Sequence, residues 1–389
     1  MNTDKKEKRG HDSRRDILFV CLCVSLWLIP DAAEASILLP QGLADPAGQI
    51  GFFASADDGI ECIDLANGKV LWRTHEAQRP LLVDGDHLLA QAGTKRNRLR
   101  ILRLEVKRNG ECDFESDPLV FPEWVVTGEA HGHSFIAQWR KEKHHLVLDW
   151  EARAWYVGKA RPTPEEESAA RKHARGSARI DLRSGQIEIL PIVSPPLSPN
   201  LGKANSVSSP WEESRGQPPL PEQLEKKELR WQGLTGPYWK VLALEEEKGQ
   251  QRLVLHSWDR RQNTEQQPKE LLRGKRLLVR ATLDEQVLCL REAAPCPDEG
   301  ASFKQTKPVT WQLFSVQTGE LLGRIPDEAG MHTIAVLGQC VFYLVPGTLR
   351  GPLDQPNVQP QTLRAVDLRS GKKLWEHPVA GKLITPPPP

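Results

Sequence analysis

The chain has 389 residues with 52 Lys and Arg against 51 Asp and Glu, so no net field draws it toward nucleic acid or an anionic membrane surface. Its 39% hydrophobic and 26% charged residues suit a globular chain long enough for a large core or an array of repeats. Twelve Trp is high for this length, and a large aromatic with one donor that recurs regularly suggests one structural slot filled several times.

The first 35 residues carry the three parts of a secretory signal. A basic start with Lys5, Lys6, Lys8, Arg9, Arg14 and Arg15 precedes an apolar run from Ile17 to Ile29, and Ala33-Glu34-Ala35 offers a cleavage site before Ser36. The run is bounded by Asp16 and Asp31 and is shorter than the roughly 17 to 25 residues of a spanning helix, which favours a cleaved signal over an anchor. The expected product is periplasmic or secreted, with no membrane span after cleavage. Of seven Cys, Cys21 and Cys23 lie in the signal. Cys62, Cys112, Cys289, Cys296 and Cys340 remain, with Cys289 and Cys296 near enough in sequence to bridge a loop and small buried thiols as the alternative.

From residue 36 the pattern is short extended runs punctuated by Gly and Asp, as in an all-β array. Ile50 to Ala54 and Ile60 to Asp64 read as strands, Asn67-Gly68 as a turn, and Lys69 to Trp72 as the next strand. Asp64 can accept from the backbone of the turn after it, and Gly68 can take positive φ without Cβ strain. The same order closes the chain: strands Ile334 to Val336, Cys340 to Val345 and Thr362 to Val366, then Asp367, Gly371 and a fourth strand to Trp375. Degenerate copies of Asp-x-x-x-Gly-x-x-x-Trp fall between, with Asp181 and Gly185 followed by Ile189, and Ser315 and Gly319 followed by Gly323. Leu104 to Gly110 is weaker still.

Two insertions interrupt the array. Thr163 to Gly176 carries a cap, an early Pro, acids first and bases last, and is expected to be a helix decorating a loop. Pro191 to Pro221 is a Pro/Ser-rich loop leading toward a short helix near Glu222 to Leu229, and 386–389 is a Pro tail. Removing these leaves room for six to eight units, and seven four-stranded blades are expected in a single propeller domain over 36–385. The first unit shows three strands of its own, so either Ser36 to Leu39 or the segment from Val379 is expected to supply the fourth and close the ring.

Asp64, Gly68, Lys69 and Trp72, with Asp367, Gly371, Lys372 and Trp375, resemble the repeat of pyrroloquinoline-quinone-type β-propellers, a family that includes quinoprotein dehydrogenases and non-catalytic bacterial propellers such as BamB. That resemblance implies that Trp72 and Trp375 dock adjacent blades. It carries no catalytic Asp, Ca2+ ligand set or adjacent Cys pair onto this chain, so no cofactor is expected. The tryptophan-aspartate repeat is the weaker alternative, because Trp258-Asp259 and Asp149-Trp150 end no complete unit.

No residue stands out as catalytic, metal-binding or cofactor-binding. His131, His133, His144 and His145 are the only metal candidates, with no Cys or acid at ligand spacing. Glu165 to Glu167 reads as a helix start and Glu245 to Glu247 as a solvated turn. The expected function is an exported, non-catalytic propeller that binds other exported or envelope proteins as an assembly scaffold. A quinone-dependent oxidoreductase and a sugar- or peptide-binding propeller are the alternatives, and the function is expected where the repeat is broken: Thr163 to Gly176, Pro191 to Pro221 and Pro346 to Gln361.

Overall fold

The computed structural model describes residues 36–95, 97–127, 132–157, 163–191, 222–225, 227–293, 309–328, 331–347, 349–350, 357–358 and 360–380. Residues 1–35, where a signal is expected, His131, most of the Pro/Ser-rich loop, Cys296 and the chain beyond 380 therefore lie outside the described residues. No helix among the described residues is long and apolar enough to cross a membrane.

The strands assemble, in chain order, into six antiparallel sheets of four or five strands, the blades of a β-propeller. Blade 1 contains Ile37–Leu39, Gly42–Ala44, Ile50–Ala54, Ile60–Asp64 and Val70–Thr74. Blade 2 runs Arg79–Asp84, His87–Lys95 and Arg98–Glu105, with Glu111–Glu115 and Leu119–Val120 both pairing the third strand. Blade 3 is His133–Glu142, His145–Ala154, Lys172–Asp181 and Ile187–Leu190. Blade 4 is Glu228–Thr235, Tyr238–Glu247 and Gln250–Asp259, edged by Thr264–Glu265 and Lys269–Gly274. Blade 5 is Leu277–Ala281, Val287–Glu292, Thr310–Ser315 and Leu321–Pro326, and blade 6 is His332–Leu337, Cys340–Val345, Gln361–Asp367 and Lys373–Val379.

Six blades among the described residues are one fewer than the seven expected. The length goes into long strands: each of the first three strands of blade 3 has 10 residues, as do two of blade 4, where blade 1 uses five or fewer. The helix is shorter than its sequence suggests, Pro164–Ala170 rather than Thr163 to Gly176. Its start matches the capping signal, with Glu166 N donating to Thr163 Oγ1 and Thr163 N to Glu166 Oε2. The chain after it joins a ladder of 10 pairs with His145–Ala154, from Lys172 opposite Ala154 to Asp181 opposite His145. Gly176 is no helix stop but a strand glycine beneath Trp150, whose indole lies 2.6 Å from where a Cβ would stand. The Pro346 to Gln361 loop contributes a two-stranded ribbon of Leu349–Arg350 and Asn357–Val358.

The N-terminal segment supplies the extra strands of blade 1, as the hairpin Ile37–Leu39 and Gly42–Ala44. The C-terminal strand stays with blade 6 and touches blade 1 through a bridge between Val379 and Ser55 and the Ala380 N–H on the Ala54 carbonyl. Blades 6 and 1 therefore meet by packing between complete blades.

Apolar clusters join consecutive blades. One spans blades 6 and 1 (Phe342, Leu363, Trp375 with Phe53, Ile63, Leu65), one blades 1 and 2, one blades 2 and 3, one blades 4 and 5, and one blades 5 and 6. Among the described residues none joins blades 3 and 4. The cluster of Leu224, Trp239, Val241 and Trp258 belongs to blade 4 and the short helix Glu222–Glu225 before it.

Candidate functional site

The repeat residues occupy one structural position in blades 1, 3, 5 and 6. Asp64 Oδ1 accepts from Ala66 N, Asp181 Oδ1 from Arg183 N and Asp367 Oδ1 from Ser370 N, at 2.7 to 2.8 Å. Ser315 Oγ takes the same role more weakly, accepting from Thr318 N at 3.3 Å. These bonds hold the carboxyls of Asp181 and Asp367 below the usual carboxylate range, with Arg183 N and the Ser370 hydroxyl as the leading causes. The turn glycines Gly68, Gly185, Gly319 and Gly371 all have positive φ, between 65° and 79°.

Each turn presents its carbonyl, or its glycine, to the blade before it. Trp375 Nε1 donates to the Leu65 carbonyl at 3.0 Å, and the indole lies over Gly68, where a Cβ would come within 2.7 Å. Trp72 Nε1 donates to the Val106 carbonyl at 3.2 Å and lies over Gly110 in the same way. At the next seam Arg103 Nη1 reaches the Leu182 carbonyl and Asp117 N the Gly185 carbonyl. Between blades 4 and 5 two lysines replace the indole, with Lys240 Nζ on the Gln317 carbonyl at 2.9 Å and Lys269 Nζ on the Thr318 carbonyl at 3.3 Å. Lys240 is buried without a carboxylate partner among the described residues, and burial lowers its pKa. Its ammonium donates to Ser257 Oγ at 2.7 Å as well, so the Ser257–Lys240 pair is bound into the seam. At the seam of blades 5 and 6, Gly323 lets the strand backbone lie against the Leu368 carbonyl.

A β-bulge aims the tryptophans. The outer strand slips register between the pairs Ile63–Val70 and Cys62–Trp72 in blade 1, and between Val366–Lys373 and Ala365–Trp375 in blade 6. The extra residues, Leu71 and Leu374, are 45% and 46% exposed, while Trp72 and Trp375 are each 7% exposed. Blade 3 pairs Ile187, Glu188 and Ile189 with Ile180, Arg179 and Ala178 without a slip, and Ile189 is 69% exposed.

The metal candidates do not converge. His133 begins its strand while His144 and His145 follow its far end, about 30 Å away at roughly 3.4 Å per residue. His144 Nε2 lies 2.8 Å from Arg183 Nη2. His87, Glu105 and Asp113 do lie together, with ligand atoms within 4.8 Å of one another. Arg103 grips both oxygens of Asp113 at 2.9 to 3.1 Å, which lowers its pKa, and Arg108 pairs with Glu105 at 2.9 Å. Two guanidinium groups thus stand on the carboxylates a cation would need, and the cluster reads as an ion-pair network.

The thiols are similarly quiet. Cys62 and Cys289 are buried and pushed up to about 12 by burial, and burial also raises Cys340.

Two places have the geometry of a site. The first is a groove of about 550 Å3 at the seam of blades 6 and 1, lined by Ile50, Asp64, Leu65, Leu71, Leu337, Cys340 and Phe342. It lies beside the Asp64 turn that docks Trp375, and Leu71 stands half-exposed in its wall. The second is a pair of buried charge networks, one on blade 3 and one on blade 4. Strand alternation puts Leu146, Leu148 and Trp150 in the cluster shared with blade 2, and Val147, Asp149, Glu151 and Arg153 on the opposite face. In blade 4, Leu242 and Leu244 face blade 5, which leaves Trp239, Val241, Glu245, His256 and Trp258 on the opposite face, where Leu224 of the short helix packs with Trp239, Val241 and Trp258.

Both faces carry charge networks. Arg140 pairs with Asp149, while Glu151 Oε1 holds Arg153 at 2.5 Å and His173 at 3.0 Å. On blade 4, His256 Nδ1 lies 2.5 Å from Glu265 and Nε2 3.4 Å from Glu245, and Glu245 receives Lys227 and Arg252 at 2.7 Å each. Lys227 is the main cause of a lowered Glu245 pKa. Glu245 is therefore the centre of an ion network on a strand, where the sequence suggested a solvated turn. Glu151 Oε2 and His256 Nε2 are buried and have no hydrogen-bond partner among the described atoms.

No known protein family matches the sequence, and neither does any curated protein. Among solved structures, the chain is similar at 15% identity and a TM-score of 0.28 to dihydro-heme d1 dehydrogenase NirN in complex with DHE, over 86% of this chain and 65% of that one. It is similar at 9% identity and a TM-score of 0.26 to the β-propeller domain of the Trilobed protease from Pyrococcus furiosus, over 66% of this chain and 59% of that one. A europium-containing methanol dehydrogenase aligns at 12% identity and a TM-score of 0.25, over 90% of this chain and 70% of that one. The chain thus spans less than two thirds of the first two.

Proposed function

We propose that this protein is a non-catalytic binding propeller that docks other exported or envelope proteins, in the manner of the assembly members of the quinoprotein-like repeat family. The groove at the seam of blades 6 and 1 supports this reading most directly. A bulge needs an extra residue but not an apolar one, yet Leu71 fills that place and stands half-exposed in a wall with Ile50, Leu337 and Phe342. Apolar walls beside a carboxylate suit an apolar anchor residue of a partner, with Asp64 at the edge for a backbone or basic contact. The two tryptophan-docked seams hold blades 6, 1 and 2 together, so little order is lost on binding. Crosslinking and mass spectrometry of exported fractions, with wild type and Leu71→Glu side by side, tests the proposal. Discrete crosslinked proteins that disappear with Leu71→Glu, at unchanged melting temperature, are expected. The same crosslinks in both proteins would remove the groove as the docking site, and no crosslinked protein in either would remove the scaffold reading.

A further inference from the structure

We propose that blade 4 carries a proton-operated clamp, in which a proton on His256 holds the outer edge of the blade in place. That edge is broken. The strand Gln250–Asp259 pairs with Thr264–Glu265 through Trp258 and Asp259, and with Lys269–Gly274 through residues 251–255, so His256 and Ser257 stand opposite the break at Gln266 to Pro268. Pro268 has no N–H to give to a ladder. The backbone tie across the break is Gln266 N on the Ser257 carbonyl at 2.8 Å, and the side-chain tie is His256 Nδ1 with Glu265 at 2.5 Å.

The buried His256 ring lies between two carboxylates. Its Nε2 is 3.4 Å from Glu245 Oε1 and makes no hydrogen bond there. A neutral imidazole donates from one nitrogen and turns a lone pair on the other, whereas an imidazolium can donate to both carboxylates. The ion pairs around it have a place for that charge. Glu245 and Glu247 on one strand and Glu270 on another are joined by Lys227, Arg252 and Arg273, and His256 links Glu265 to them, which sets four carboxylates against three permanent cations. Val241, the cross-strand partner of His256, adds no charge. A proton on the ring balances the network, and its loss leaves one negative charge unmatched. Glu245 still has Lys227 and Arg252, but among the described residues the only ion pair of Glu265 is with His256. As pH rises through the histidine range, Glu265 therefore exchanges a charge-assisted bond for a weaker one to a neutral ring, and the edge it anchors loosens.

Hydrogen exchange of the full chain at about pH 5.5 and about pH 8, corrected for the intrinsic pH dependence of exchange, tests this. The Gln266 amide is expected to lose at least about fivefold in protection at the higher pH, while amides of Leu321–Pro326 in blade 5 keep theirs. His256→Gln cannot gain the proton and should remove the difference between the two pH values. Glu265→Gln, which leaves the ring in place and takes away the carboxylate at the edge, should remove it as well. Equal protection of Gln266 at both pH values in the wild type, or the same loss in either variant, overturns the proposal.

Discussion

Replacing Trp375 with Ala removes the side chain that ties blade 6 to blade 1. The indole is nearly buried, donates to the Leu65 carbonyl at 3.0 Å, covers Gly68 and packs with its centroid 5.8 Å from that of Phe342. About 200 Å2 of buried aromatic surface at roughly 25 cal/mol per Å2 gives about 5 kcal/mol as an upper bound. Partial collapse of blade 6 onto the gap lowers that figure and the orphaned carbonyl raises it, so the expected loss is about 3 to 5 kcal/mol. The neighbouring Leu374→Ala, at a residue 46% exposed, should cost less than about 0.5 kcal/mol. Trp375→Phe keeps most of the area but leaves the carbonyl unpaired, and should cost about 1 to 3 kcal/mol. Equilibrium urea unfolding followed by circular dichroism, compared at equal slope, measures all three. A Trp375→Ala protein within about 1 kcal/mol of wild type would show that docking at this seam does not hold the ring.

Two further substitutions examine the turn and the charge network. Gly68→Ala forces a Cβ into the Trp375 ring at φ +74°, while Gly85→Ala meets nothing within 4 Å at φ +57°. Both incur about 1 kcal/mol of left-handed strain, and Gly68→Ala should cost at least about 1 kcal/mol more in the same unfolding assay; equal costs would contradict the close approach. The Lys227 ammonium holds the Glu245 pKa below its ordinary value, so this pair contributes stability above the unfolded carboxylate pKa and loses it as pH falls through the folded one. The gap in unfolding midpoint between wild type and Lys227→Met should therefore shrink from about pH 7 to about pH 3, and a gap that stays constant would separate Lys227 from the Glu245 titration.

Much of the fold was legible because its signals are local. Asp-to-backbone turns and positive-φ glycines lie within a few residues of one another, so Asp64 to Gly68 and Asp367 to Gly371 announce their turns wherever the chain runs. The Cys340–Val345 strand was read at its observed bounds for the same reason. The helix after Thr163 shows the limit of such signals. Its cap fixes only the beginning, whereas its end is decided by 10 cross-strand partners in His145–Ala154, which no residue between Arg171 and Gly176 reveals. The sequence leaves the blade number open between six and eight on similar grounds, because strand length in blades 3 and 4 depends on the partner strand.

The two candidate sites were hidden for different reasons. The groove at the 6–1 seam is built from Leu71 and Phe342, residues far apart in sequence that meet only when the ring closes, and an apolar residue in a strand announces burial rather than a binding wall. The charged face of blade 3 is different, because it shows in the sequence as an alternation. In Leu146-Val147-Leu148-Asp149-Trp150-Glu151-Ala152-Arg153 the alternation is plain, but both faces are buried, Leu146 and Leu148 in the cluster shared with blade 2 and Val147, Asp149 and Glu151 on the other side. A strand with apolar and charged faces is ordinarily taken as half-solvated. What distinguishes this one is that Asp149 and Glu151 are buried on the charged side, each with an arginine from a neighbouring position on the same blade. The alternation therefore reports which side of the strand is charged, whereas the burial of that side goes with Arg140 and Arg153, which pair it within the blade.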